Sequence, residues 1–272
     1  MANQKTVLIT GASSGNGEAT ARLLSQRGYR VYGTSRDPAA AGQWPGVEML
    51  PLDVRSDESV AACVQAMLRQ VGQIDVLINN AGYELGGALE EISIDEARSQ
   101  FDTNFFGVMR MVKAALPVMR QQRAGQIINV SSLAGLSPMP FLGVYSASKF
   151  ALEGYSEALR HELRPFNIQV SLVEPGFIKS HLASNRQYGA SRISEYDTWR
   201  HRALAAIRQH EEKAPAPSLV AECVMRIIDS RSPKLRHRVG RDATLISRLR
   251  RFSPEAFFER GVRDYFHLDA QK

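Results

Sequence analysis

A chain of 272 residues, 44% of them hydrophobic, suits one large α/β domain and can bury a core without disulfides. No apolar run approaches the roughly 20 residues that span a bilayer, and the start, MANQKTVLIT, lacks the basic region and long apolar core of a secretory signal, so a cytoplasmic protein is expected. The formal charge of +6 matters only where it is concentrated.

The first apolar run, TVLIT (6–10), reads as a buried strand, and TGASSGNG follows it directly, ahead of an amphipathic helix at 18–27. Gly11, Gly15 and Gly17 permit a tight turn in which backbone N–H groups approach a pyrophosphate at the positive end of that helix. The spacing is GxxxGxG rather than GxGxxG. A second strand, RVYGT (30–34), runs into GTSRDP. An acid at this strand end suits a cofactor with two free ribose hydroxyls, whereas a cation suits a 2′-phosphate. Ser35 and Arg36 stand there, which favours NADP(H) over NAD(H), although Asp37 could turn inward instead. After the third strand, VEMLPLDV (47–54), Asp53 is placed either to accept from an adenine amino group or to cap the next helix.

That helix, 59–71, holds Cys63; it and Cys223 lie in apolar helical stretches and read as small core residues. DVLINN (75–80) is the fourth strand, and the helix at 96–119 should end or bend at Pro117. GQIINV (125–130) is the fifth. In VYSASKFAL (144–152), Tyr145 and Lys149 share one helix face, a spacing that fits a packed aromatic beside a solvated charge as well as it fits a proton donor and its cation. IQVSLVEP (168–175) is the sixth strand.

The polar stretch 177–217, ending in KAPAPS, reads as an inserted lid with a hinge. Its Phe177, Leu182, Tyr188, Tyr196 and Trp199, with Met139, Phe141 and Leu142 upstream of Tyr145, either face an apolar ligand or pack the lid onto the core. RHRVG (236–240) is the last strand. It lies within 231–251, where eight Lys and Arg against Asp242 give +7 and leave −1 for the rest of the chain. A solvated face is the commoner reason for such a run; a nucleic-acid or peripheral membrane partner is not favoured. The extension at 243–268 places Leu245, Ile246, Leu249 and Phe252, then Phe257, Phe258, Val262 and Phe266 beyond Pro254, at helical spacing, and a terminal pair packed on the core is expected over a membrane-surface helix. Brief strands, several apolar on both faces and alternating with helices, indicate a parallel sheet of about seven strands, helices on both faces, in a single domain over 1–272.

In order along the chain stand TGASSGNG, LDV with Asp53, NNAG at Asn79–Gly82, TN with Asn104, NVSS with Ser132, the Tyr145/Lys149 pair, and PG at Pro175–Gly176. With these motifs the chain resembles a short-chain dehydrogenase/reductase, in the branch of steroid and retinol dehydrogenases and carbonyl reductases. The resemblance implies a doubly wound Rossmann-type sheet. It implies that Tyr145 passes a proton to or from the substrate oxygen and that Lys149 lowers the tyrosine pKa and binds the nicotinamide ribose. Ser132, thirteen residues before Tyr145, would donate to the substrate oxygen, and Asn104 would hold a water linking Lys149 to solvent. The implied cofactor site takes Ser13, Ser14 and Asn16 with the three glycines, then Ser35, Arg36, Asp53 and Val54. It continues through Asn80, Ala81 and Gly82 to Tyr145, Lys149, Pro175, Gly176, Ile178 and Ser180. No metal is implied.

Two positions depart from the family pattern: Asn16 replaces an apolar residue, and Ser180 replaces threonine. A lipophilic ketone, aldehyde or secondary alcohol is the implied substrate, and a homodimer or homotetramer built through 95–120 and 143–163 the implied assembly. A non-catalytic nucleotide sensor or interaction protein on the same fold is the alternative, which the complete Asn104, Ser132, Tyr145 and Lys149 set argues against.

Overall fold

The computed structural model describes residues 4–179 and 185–269. Its strands are β1 (Thr6–Ile9), β2 (Arg30–Ser35), β3 (Val47–Pro51), β4 (Val76–Asn79), β5 (Leu85–Gly86), β6 (Gly125–Val130), β7 (Ile168–Pro175), β8 (Gln187–Tyr188) and β9 (Arg236–Val239). Seven of them form one parallel sheet in the order β3-β2-β1-β4-β6-β7-β9, while β5 and β8 make a separate two-residue pair. The helices are α1 (Gly15–Gln26), α2 (Asp57–Val71), α3 (Ile94–Phe101), α4 (Gly107–Gln122), α5 (Gly143–Leu163), α6 (Asp197–Glu212), α7 (Ser218–Asp229), α8 (Arg241–Phe252) and α9 (Glu255–Tyr265).

Alternation along each strand sends side chains to opposite faces, and both faces are covered. Leu8, Leu77, Ile127 and Val170 pack against α2, α4 and α5. Val7, Ile9, Val76 and Ile128 pack against α1 and α7. Consequently Val7, Leu8 and Ile9 are all fully buried, which is why the strands read as continuous apolar runs. The chain winds outward from β1 in both directions, so a crevice opens beyond the carboxyl ends of β1 and β4, where such sheets bind ligands.

Three expectations need correction. The helix at 96–119 is two helices, α3 and α4, joined by a π-helical turn at Asp102–Phe106. Pro117 does not end it: α4 runs on to Gln122, because the burial of Ala115 and Met119 on either side offsets the lost hydrogen bond, a cost of about 3 kcal/mol. At the carboxyl end, α8 turns its small residues Ala243 and Ser247 inward and leaves Leu245 59% and Phe252 77% exposed; on α9, Phe258 is buried and Phe257 is not. The cause lies at the start of α8, where Asp242 Oδ2 accepts the Phe177 amide at 2.7 Å and fixes the rotation of the helix.

Part of the basic run is spent internally. Arg236 pairs with Glu153 and Glu157, and Arg236 and Arg238 both approach the fully buried Glu174. Cys63 and Cys223 are free and buried. Among the described residues no helix is long and apolar enough to cross a membrane.

Candidate active site

A cleft of about 760 Å³ occupies the crevice. Its floor is the turn between β1 and α1. Gly15 has φ +58°, a conformation that favours glycine. Gly17 permits a close approach: a Cβ there would lie 2.1 Å from the Gly11 carbonyl oxygen. Asn80 stitches the turn to β4, donating through Nδ2 to the Thr10 and Gly11 carbonyls at 3.0 and 2.9 Å, while Thr10 Oγ1 accepts from the amides of Asn80 and Ala81. Gly11, Ser13, Ser14, Gly15 and Asn16 line the cleft at the amino end of α1; Gly17 lies behind them, in the packing. Asn16 Oδ1 is buried without a hydrogen-bond partner among the described residues.

Ser35 and Arg36 line the cleft at the end of β2. Asp37 is occupied by its own turn, its Oδ1 accepting from the amides of Ala39 and Ala40 at 3.1 and 3.2 Å. Asp53 and Val54 also line the cleft, as do Ala81 and Gly82. Asp53 neither caps α2, which Ser56 does, nor stands free: Arg55 grips both of its oxygens, and that pairing holds its pKa down at about 2.

Ser132, Tyr145 and Lys149 converge at the ends of β6 and the first turns of α5, all in the cleft wall. Ser132 Oγ accepts from the Ala134 amide at 3.1 Å, and its hydroxyl also hydrogen-bonds the Tyr145 side chain. Lys149 Nζ donates to the Val130 carbonyl at 2.9 Å and lies 5.8 Å from the centre of the Tyr145 ring. Burial, then the charge of Glu84, raises Tyr145, and burial pushes Lys149 down to about 8.

Asn104 sits in the π-helical turn and outside the cleft lining. Its side chain clamps the segment after β4: Oδ1 accepts from the Tyr83 amide at 3.1 Å, and Nδ2 donates to the Tyr83 carbonyl at 3.0 Å and to Ser148 Oγ at 3.3 Å. Single-turn π segments inside helices recur at functional sites.

At the end of β7 and just past it, Pro175, Gly176 and Ile178 line the cleft, as do Phe177, Met139 and Leu142. Ser180, His181 and Leu182 lie outside the described residues. Phe141, Tyr188, Tyr196 and Trp199 are not in the lining; Phe141 and Tyr196 pack edge to face at 6.5 Å instead. Met139 and Phe177 also wall a second, apolar pocket of about 130 Å³ bounded by Ile246, Leu249, Phe257 and Gly261.

Sequence reasoning missed an ionic cluster. Arg186 joins Glu84 to Glu211, and Arg200 joins buried Glu91 to Asp197. These residues come from distant parts of the chain with no local pattern to connect them, although Glu84 and Glu211 line the cleft.

The short chain dehydrogenase family matches residues 5–190. A 3-ketodihydrosphingosine reductase of Bacteroides thetaiotaomicron is 44% identical over 237 residues, 86% of this chain and 87% of its own. Retinol dehydrogenase 8 of Bos taurus is 39% identical over 270 residues, 92% of this chain and 86% of its own. Among solved structures, a short-chain dehydrogenase from Streptomyces avermitilis superimposes with a TM-score of 0.83 at 30% identity, covering 99% of this chain and all of that one.

Proposed function

The chain belongs to the short-chain dehydrogenase/reductase family of oxidoreductases acting on CH–OH or C=O groups, and from that membership we propose that it transfers hydride between NADP(H) and a lipophilic ketone, aldehyde or secondary alcohol. The observation that carries the reading is the convergence of Ser132, Tyr145 and Lys149 on the cleft that the glycine turn also lines.

The cleft fits a dinucleotide. Its glycine turn opens an amino-terminal helix end toward an anion, and Arg36 faces it while the Asp37 carboxylate is used up in a turn. That pairing supports a 2′-phosphate over a free ribose hydroxyl. When bound, the dinucleotide supplies or accepts the hydride.

Tyr145 gives its proton to the carbonyl oxygen in reduction and takes it back in oxidation. Its raised pKa keeps it a phenol at neutral pH, the state a donor needs. Ser132 donates to the same oxygen as charge develops there. Lys149, held by the Val130 carbonyl and still mostly charged at neutral pH, stabilises the phenolate left by proton transfer. Asn104 acts by position, fixing Tyr83 beside the cleft.

The two relatives are named for 3-ketodihydrosphingosine and for retinol. The apolar pocket behind Met139 and Phe177 supports a substrate of that lipophilic kind. The test is NADPH oxidation across aromatic, steroidal, retinoid and aliphatic carbonyls, with Tyr145→Phe beside the native protein. Turnover that disappears in the variant is expected; turnover that persists removes Tyr145 from the mechanism.

A further inference from the structure

Outside the cleft lining, next to Lys149 on α5, two acids are packed together. Glu174 stands on β7 in register with Arg238 of β9, and its side chain is fully buried. Glu153 stands on α5, one helical turn beyond Lys149, and is buried as well. Arg236 Nε lies 3.1 Å from Glu153 Oε2 and 3.3 Å from Glu174 Oε1, so the two carboxyl groups crowd one edge of a guanidinium.

The charges there do not balance. Arg236 also pairs with Glu157 at 2.9 Å, and Arg238 comes to 3.5 Å from Glu174, so three acids share two guanidinium groups. Arg236 donates a hydrogen bond to Glu153, whereas both oxygens of Glu174 are shut off from solvent without a hydrogen-bond partner among the described residues. A proton on Glu174 removes that cost, because a carboxylic acid donates to a neighbouring carboxylate and one negative charge leaves the pair. Burial, then the charge of Glu153, raises Glu174 to about 8, so it holds the proton at neutral pH. Burial raises Glu153 too, but the Ser131 hydroxyl and Arg236 oppose it.

We infer that Glu153 is a positioning residue for the reaction: as the ionised member of the pair, with Glu174 carrying the proton, it holds the Lys149 ammonium charged while Tyr145 gives up its proton. The inference rests on the role given to Lys149 under the proposed function. That ammonium is buried, and its hydrogen bond goes to the neutral Val130 carbonyl. Burial is the largest cause lowering it, and the acids that oppose the fall are Glu84 in the cleft and Glu153. The packing is close: a Cβ on Gly135 would lie 2.9 Å from Ser131 Oγ, 3.1 Å from the Lys149 carbonyl oxygen and 3.2 Å from Glu153 Cγ. A charge on Glu153 therefore acts on Lys149 through buried protein, where water screens it little.

Carbon NMR of protein isotope-labelled at lysine Cε follows the ammonium itself, with the Lys149 signal assigned by its absence from Lys149→Met. The native midpoint should lie near pH 8. Glu153→Gln should lower it by about one unit, the low end of what a neighbouring opposite charge does. The pH above which NADPH-dependent turnover falls should move with it, a loss of about fivefold at pH 8. Glu174→Gln, whose amide donates as the protonated carboxyl does, should move both far less, and Glu153→Asp should bring them back toward the native values. A midpoint unmoved in Glu153→Gln would overturn the inference whether or not any carbonyl is reduced, and equal shifts in Glu153→Gln and Glu174→Gln would overturn the assignment of the proton. A shifted midpoint with an unshifted pH–rate profile would overturn the role in the reaction while leaving the reductase reading intact. A native protein that turned over no carbonyl would remove the reductase reading, and this role with it, whatever the titration showed.

Discussion

Lys149 Nζ donates to the Val130 carbonyl at 2.9 Å, so the cation beside Tyr145 is anchored by the last residue of β6 and not by a carboxylate. A buried lysine held by one neutral acceptor is a source of instability kept for its charge. Its pKa falls from 10.5 to about 8 on folding, burial being the largest cause. Below pH 8 both folded and unfolded states carry the proton and the folded state bears the full penalty. Between pH 8 and 10.5 the folded state releases its proton first, and the penalty fades. Lys149→Met should therefore abolish turnover yet raise stability at pH 7 by about 2 kcal/mol, from roughly 1.4 kcal/mol per pKa unit less the orphaned carbonyl. The gain should vanish near about pH 9.5 and turn into a loss of about 1 kcal/mol by about pH 10.5, where only the orphaned carbonyl remains. Urea unfolding at pH 7 and pH 10 measures both; a variant less stable at pH 7 would mean the cation is net stabilising.

Arg36 faces the cleft with Asp37 turned into the Ala39 and Ala40 amides, so the charge presented at the end of β2 is positive. Arg36→Asp should weaken NADPH binding by about tenfold to a hundredfold, the loss of one or two charge-assisted bonds, while NADH binding changes little or improves. Fluorescence titration of both cofactors decides it. Equal losses would mean the guanidinium does not read the 2′-phosphate.

The sheet was legible because its strands are buried on both faces, so runs such as Val7–Ile9 stand out without any knowledge of their neighbours. The glycine turn and the Ser132, Tyr145 and Lys149 set were legible because each lies at a strand end or within one helical turn. What stayed hidden depends on contacts across the chain. Nothing near Leu245 signals that Asp242 will fix α8 so as to expose it. The raised pKa of Tyr145 comes from burial and from Glu84, sixty-one positions away in the sequence. The place of Asn104 in a π-helical turn was not legible, because no periodicity marks such an insertion.

Asn16 Oδ1 is buried and unpartnered among the described residues where the glycine turn meets α1. Removing an unsatisfied acceptor of this kind relieves about 1–3 kcal/mol of desolvation. Asn16→Leu should raise the thermal midpoint by several degrees, about 2–4 °C per kcal/mol at this chain length. Scanning calorimetry with and without NADPH gives the answer. A gain that reverses when NADPH is present would instead assign the amide a bond to the dinucleotide.

Gly261 lies within α9 on the wall of the second pocket, and a Cβ there would meet nothing within 4 Å. Gly261→Leu should stabilise the helix by roughly 0.5–1 kcal/mol through propensity alone, while its side chain fills space that Met139 and Phe177 connect to the cleft. If the apolar part of the substrate threads past those two residues, the variant should lose about 15-fold to 60-fold in kcat/KM for long-chain ketones, the scale of two or three methylenes denied burial at about 0.8 kcal/mol each. Short ketones, which end before the pocket, should be reduced as well as before. A chain-length series run on both proteins separates the cases, because a general loss would indicate a distorted α9. Unchanged kinetics at every length would place the chain along another wall of the cleft.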